Sequence, residues 1–166
     1  MPLSTTGHAR RFGDDINTDY IISSRRKRES LDPAVLKNYL FETIAPEFAA
    51  SVQADDILVA GKNFGCGSAM EVAVTAVVGA GIKVVLAQSF ARTYFRNAVN
   101  NGLYPIECDT SQIVEGDVLR IDTGAQMRIH CARTGLDIEA VPIPHELLKL
   151  LDAGGLVPYL RKHSTF

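Results

Sequence analysis

Residues 57–87, ILVAGKNFGCGSAMEVAVTAVVGAGIKVVLA, decide how this chain folds. A four-residue apolar run, Ile57 to Ala60, ends at Gly61 and gives way to the glycine-rich Gly61-Lys62-Asn63-Phe64-Gly65-Cys66-Gly67-Ser68. Ala69 to Val78 is a long apolar stretch closed by Gly79 and Gly81, and Ile82 to Ala87 is apolar again. That order predicts strand, tight loop, helix and buried strand. Strands alternating with helices at this spacing predict a parallel sheet covered by helices.

Working outward, Ser89 reads as the N-cap of a helix running to Asn100, with Asn101-Gly102 as its stop and a short strand from Tyr104 to Cys108. The last third changes character. Asp117 to Asp122, Gln126 to Arg133 and Leu136 to Ile143 alternate polar and apolar residues, with turns at Thr123-Gly124 and Thr134-Gly135, which is the pattern of antiparallel hairpins. A helix from His145 to Ala153 follows Pro144 and stops at Gly154-Gly155. Upstream, Arg10 to Tyr20 is polar and rich in turn formers, and Ser23 to Ser30 carries four consecutive cations, which predicts an exposed loop with little to pack against, mobile without a partner. Asp32 is placed to cap a helix with Pro33 at its first position and Leu36, Tyr39 and Leu40 on one face; a second short helix is expected over Pro46 to Ala50. The expected fold class is α/β: one domain over residues 1–166, its core from about 8 to 160, with a small parallel core sheet and an antiparallel β layer.

Composition sets the function classes. The 166 residues are 46% hydrophobic and 22% charged, ordinary for a globular domain and unlike a disordered or fibrous chain. Seventeen Lys and Arg against nineteen Asp and Glu leave a net charge of −2, which gives no overall attraction to nucleic acid or to an anionic membrane. No apolar run approaches the roughly 18 residues of a membrane span, and the first residues lack a signal-peptide core, so the expected compartment is the cytoplasm. Cys66, Cys108 and Cys131 are widely spaced and have no paired histidine, so the chain writes no disulfide framework and no zinc or iron–sulfur site of its own. His8, His130, His145 and His163 show no ligand spacing.

The local feature that points to chemistry is Gly65-Cys66-Gly67-Ser68. Glycines let a ligand approach the backbone, and free N–H groups at a helix start attract an anion. The same stretch also admits a structural interpretation, since Ser68 and Glu71 have the S-x-x-E spacing of a capping box that needs no ligand. It is neither a P-loop nor a dinucleotide fingerprint. Arg25-Arg26-Lys27-Arg28 offers guanidinium forks for a carboxylate or phosphate, or is simply a solvated basic loop. Asp19, in Asn17-Thr18-Asp19, suits an Asx-turn or cap and could also orient a nearby arginine. Cys66 has no histidine near it in sequence to activate it as a nucleophile.

Together, GDDINTDYII (residues 13–22), GKNFGCGS (61–68) and SFARTYFRNAVNNGLYPIEC (89–108) resemble the small subunits of 3-isopropylmalate dehydratase, the detached swivel domain of the aconitase superfamily. The resemblance spans roughly residues 8–160. It implies the swivelling β/β/α fold and a heteromeric hydro-lyase of leucine biosynthesis that exchanges 2-isopropylmalate and 3-isopropylmalate through a cis-alkene. It also implies that a large partner subunit holds a [4Fe-4S] cluster acting as Lewis acid. By the same resemblance Ser68 is the base that takes the proton alpha to a carboxylate, Asp19 organises the site, and Thr18 and Gly67 line it. One of Arg25, Arg26 or Arg28 is then the clamp on the substrate's carboxylate.

The chain departs from the family where G-S-S-R-E-H is usual. Here Gly67-Ser68-Ala69-Met70-Glu71-Val72 lacks the second serine, the arginine and the histidine, and Met70 cannot bind a carboxylate. Either a loop arginine replaces that contact, or the substrate is another small hydroxy diacid, dimethylmalate-like or homoaconitate-like. Two other classes compete. A non-catalytic anion- or RNA-binding module built on residues 25–28 is disfavoured by the neutral charge and the lack of interleaved aromatics. A hydrolase built on Cys66 requires activity of the chain alone. Self-association of the isolated chain stays open.

Overall fold

The computed structural model describes residues 2–163, so the outer limits of the expected domain, residues 1 and 166, lie outside the described residues. Seven strands form one sheet: β1 (Ser4–Arg11), β2 (Ile57–Val59), β3 (Val84–Ala87), β4 (Tyr104–Glu107), β5 (Val118–Asp122), β6 (Arg128–Cys131) and β7 (Asp137–Glu139), in the order β4-β3-β2-β1-β5-β6-β7. The strands β1 to β4 run parallel, and β5 to β7 add an antiparallel half. The joint is β1, which pairs parallel with β2, Ala9 opposite Ile57, and antiparallel with β5, Thr5 opposite Ile121.

This joining strand is not predicted from the sequence. Its inward positions are Thr5, Gly7 and Ala9, too small and too polar to read as an apolar alternation, although all three are buried. By contrast β2 and β3 are buried on both faces, as central parallel strands are. Leu58, Ala60, Val85 and Ala87 enter one core, with Leu36, Leu40, Phe41 and Phe48. Ile57, Val59, Val84 and Leu86 enter the other, with Ile106, Leu119, Ile121 and Leu151.

The helices are α1 (Thr18–Ile21), α2 (Ser24–Glu29), α3 (Pro33–Leu36), α4 (Phe48–Ser51), α5 (Val72–Gly79), α6 (Arg92–Asn100), α7 (His145–Asp152) and α8 (Leu156–Lys162). Asp32 caps α3, its side chain accepting the Ala34 N–H at 3.0 Å, as the sequence predicts. Three boundaries differ. Ser89 does not cap α6; its Oγ accepts the Asn63 N–H at 2.8 Å instead, and Ala91 precedes the helix. The Gly154-Gly155 stop is followed by a further helix, α8. And α5 begins at Val72, not at Ala69, with Glu71 as an N-cap that makes no side-chain cap bond, so the Ser68–Glu71 capping box does not form. Among the described residues no helix is long and apolar enough to cross a membrane.

Candidate functional site

The glycine loop lies at the carboxyl ends of the parallel strands, where open α/β sheets place their ligands. It is laced to the segments that follow β1 and β3. On one side, Asp15 N–H donates to Lys62 O (2.8 Å), Gly65 N–H to Ile16 O (2.8 Å) and Thr18 N–H to Cys66 O (2.8 Å). On the other, Phe64 N–H donates to Ser89 O (3.0 Å) and Ala91 N–H to Phe64 O (2.9 Å). A three-segment backbone weave of this kind fixes residues 64–68 without any regular element.

Two glycines make the weave sterically feasible. Gly65 has φ +82°, and a Cβ there would lie 2.2 Å from the Tyr94 ring. Tyr94 is buried in the first core, its Oη donating to Ala73 O at 3.0 Å, and burial pushes its phenol well above the ordinary value. Gly67 has φ +95°, and a Cβ there would meet the Asn17 amide at 2.6 Å. Both contacts need a backbone that carries no side chain in the left-handed region.

Of the residues expected from sequence, Thr18, Gly67 and Ser68 are brought together. The Thr18 hydroxyl, itself buried, donates to Ser68 O at 2.8 Å. The three line a small cleft of about 70 Å³, with Met70, Arg92 and Asn97 on its other walls. Ser68 is exposed, and among the described residues its Oγ makes no hydrogen bond. Nor do the N–H groups of Gly67, Ser68 and Ala69 find an acceptor there. Ser68 therefore precedes the cap of α5 by three residues and is not part of its first turn, which corrects its expected place at the helix start. The donors around it are those of the loop.

Asp19 stands beside this group. Its carboxylate accepts the Ser24 N–H at 3.1 Å and so fixes the start of α2, while no arginine lies within ion-pair distance of it among the described residues. The segment expected as an exposed loop is the helix α2, capped by Ser23, whose side chain accepts the Arg25 N–H. Arg26 is already engaged within the chain. Its guanidinium is held by Glu42 at 2.9 and 3.0 Å and by Glu29 at 3.1 Å, and it stacks 3.9 Å over the Tyr39 ring. The bond from Arg26 holds the Glu42 carboxyl below its usual value. Arg25 and Arg28 are exposed and line no cleft with Ser68, whereas Lys27 lines a groove on the far side of Ala69 and Met70.

Sequence reasoning missed Arg92, Thr93 and Asn97, which reach the Ser68 cleft from α6. The signal was present in SFARTYFRN, but nothing local says that the start of α6 faces the loop after β2. The cysteines form no ligand set. Cys108 and Cys131 are buried in the second core, Cys66 is alone in the loop, and burial with Asp109 nearby pushes the Cys108 thiol up to about 12. Among the described residues no three His, Cys, Asp or Glu side chains are grouped to hold a metal.

Residues 33–111 match the Aconitase C-terminal domain family. Over nearly their whole lengths, relatives share 39–46% identity. The 3-isopropylmalate dehydratase small subunit of Methanosarcina mazei is 43% identical, covering 94% of this chain and 96% of that one. That of Oleidesulfovibrio alaskensis is 46% identical, covering 96% of each. The methanogen homoaconitase small subunit of Methanocaldococcus jannaschii is 42% identical, covering 95% of this chain and 92% of that one. A crystal structure of 3-isopropylmalate dehydratase from the same organism superposes with a TM-score of 0.93 at 40% identity, over 98% of this chain and 96% of that one. The chain belongs to the family of 3-isopropylmalate dehydratase small subunits.

Proposed function

We propose that this chain is the small subunit of a two-subunit hydro-lyase that exchanges 2-isopropylmalate and 3-isopropylmalate, working as one swivel domain that closes over a larger partner. The observation that carries it is near-full-length kinship with 3-isopropylmalate dehydratase small subunits. The size of the cleft supports the need for a partner. About 70 Å³ holds two or three waters, while pockets that enclose a small organic ligand are roughly 300–1,000 Å³. Ser68 thus lies on half of a site, and a second surface must supply the rest.

In this scheme Ser68 Oγ removes the proton from the carbon alpha to a carboxylate as the hydroxyl leaves the neighbouring carbon, and the serine returns that proton when water adds back the other way round. A neutral serine is a weak base, so its alkoxide has to be stabilised. The unengaged N–H groups of Gly67, Ser68 and Ala69 are the donors this chain offers for that purpose. Thr18 holds the Ser68 carbonyl, and Asp19 sets the start of α2, on which Arg25 and Arg28 are exposed. A [4Fe-4S] cluster held by the partner would supply Lewis-acid chemistry at the hydroxyl.

A homoaconitate-like substrate is the second reading. It is favoured by 42% identity to a methanogen homoaconitase small subunit, as high as to several isopropylmalate enzymes. A panel of hydroxy diacids and triacids, assayed with the reconstituted pair, separates the two. Ser68→Ala in that pair is expected to abolish turnover while assembly and stability, within about 0.5 kcal/mol, are retained, because the side chain is exposed and its hydroxyl makes no hydrogen bond among the described residues. Full turnover by the variant removes Ser68 as the base.

A further inference from the structure

We propose that Arg92 is the residue of this chain that grips a substrate carboxylate beside Ser68, an assignment that rests on the hydroxy-acid reading above. Among the described residues, Arg92 is the only charged residue lining the Ser68 cleft. It is exposed, and among the described residues no carboxylate lies within ion-pair distance of it, although Glu107 borders the neighbouring groove that Arg92 also lines. Its guanidinium is therefore solvated and uncommitted, unlike that of Arg26, which two glutamates already hold.

The other candidates are excluded by place. Met70 sits where the family's arginine is expected, carries no charge and is 4% exposed. Arg25 and Arg28 line no cleft shared with Ser68, and Lys27 is separated from it by Ala69 and Met70. A cation at this point has a chemical task. When the alpha proton is removed, negative charge grows on the adjacent carboxylate, and a guanidinium fork on its two oxygens stabilises that charge more as it develops. Arg92 is thus assigned as a substrate-binding residue that compensates for the methionine at position 70.

The test uses the pair reconstituted from this chain and its cluster-bearing partner. Arg92→Gln is expected to lower kcat/KM by roughly 10- to 100-fold, the worth of one charge-assisted hydrogen-bonded contact. Arg92→Lys is expected to recover part of the loss, since an ammonium restores the charge but not the fork. Calorimetric titration with succinate and with its mono-amide, as unreactive probes, gives a second readout: the wild type prefers succinate, and Arg92→Gln loses that preference at unchanged melting temperature. Unchanged succinate preference, or equal losses in both variants with a lowered melting temperature, overturns the assignment. A wild-type pair that turns over no hydroxy acid in the panel overturns the proposed function instead, and the succinate titration still decides Arg92.

Discussion

Gly65→Ala tests whether the glycine loop is held by a packing contact with Tyr94 and not only by its backbone bonds. The new Cβ would lie 2.2 Å from Tyr94 Cγ, 2.4 Å from its Cβ and 2.6 Å from its Cδ2. Carbons in contact prefer about 3.5–4.0 Å, so ring or loop must yield by about 1 Å. The ring cannot yield freely. Tyr94 is 2% exposed, packs edge-on against Phe64 at 5.2 Å between centroids, and is tied at its far end to Ala73 O. Placing alanine at this positive φ costs about 1–2 kcal/mol, overpacking a tight site about 1–3, and losing the tyrosine bond about 1. The expected destabilisation is about 3–6 kcal/mol, which in a chain of this size lowers the melting temperature by roughly 10 °C or more. Gly116 provides the control, because it has φ +85° with nothing within 4 Å of its would-be Cβ, so Gly116→Ala registers the backbone cost alone. Thermal and denaturant unfolding of both variants, and of Gly65→Ala in a Tyr94→Ala background, measure the clash as a coupling energy. If the two alanine variants melt together, or the Tyr94→Ala background leaves the Gly65→Ala cost undiminished, the loop is not positioned by Tyr94 and the account of its geometry fails.

Two further outcomes are expected. Thr18→Val removes the only side-chain bond to the Ser68 carbonyl seen among the described residues; it should cost about 1 kcal/mol and lower kcat, whereas Thr18→Ser, which keeps the hydroxyl, should recover both on urea unfolding and turnover assays. Glu42→Gln tests the anchoring of α2: since Arg26 lowers the folded-state pKa of Glu42, the pair stabilises the fold above the ordinary carboxylate range and that stabilisation is lost as pH falls through the depressed value. The variant should therefore be less stable at pH 7 and show a shallower loss of stability below about pH 4.5 than the wild type, an effect that rising salt diminishes. Parallel acid limbs for the two proteins refute the coupling.

The contrast between what was and was not legible follows from the range of the interactions. The unit from Ile57 to Ala87, the cap at Asp32, the stop at Gly102 and the three hairpin strands could be read from sequence because each is written in local pattern: continuous apolar runs where both faces are buried, alternation where one is, and turn residues between. The order and spacing of three short motifs also sufficed to name the family. Everything that depends on pairing distant segments required the tertiary structure. β1 is a strand because β2 and β5 flank it, not because Thr5, Gly7 and Ala9 prefer one. Ser89 gives its hydroxyl to Asn63, and so α6 starts later than its best capping residue. Ser68 lies apart from α5 because the weave with residues 13–18 and 89–91 pins the loop as far as Cys66, and the helix begins only at Val72. Four adjacent cations look equivalent in sequence, yet Glu42 and Tyr39, more than ten residues away, withdraw Arg26. Arg92, in turn, reaches Ser68 only because the sheet order sets the loop after β3 beside the loop after β2. Local periodicity determined which elements form, and three short motifs which family they belong to; the long-range hydrogen bonds and charge pairings, which no local window contains, decided which residues share the Ser68 cleft.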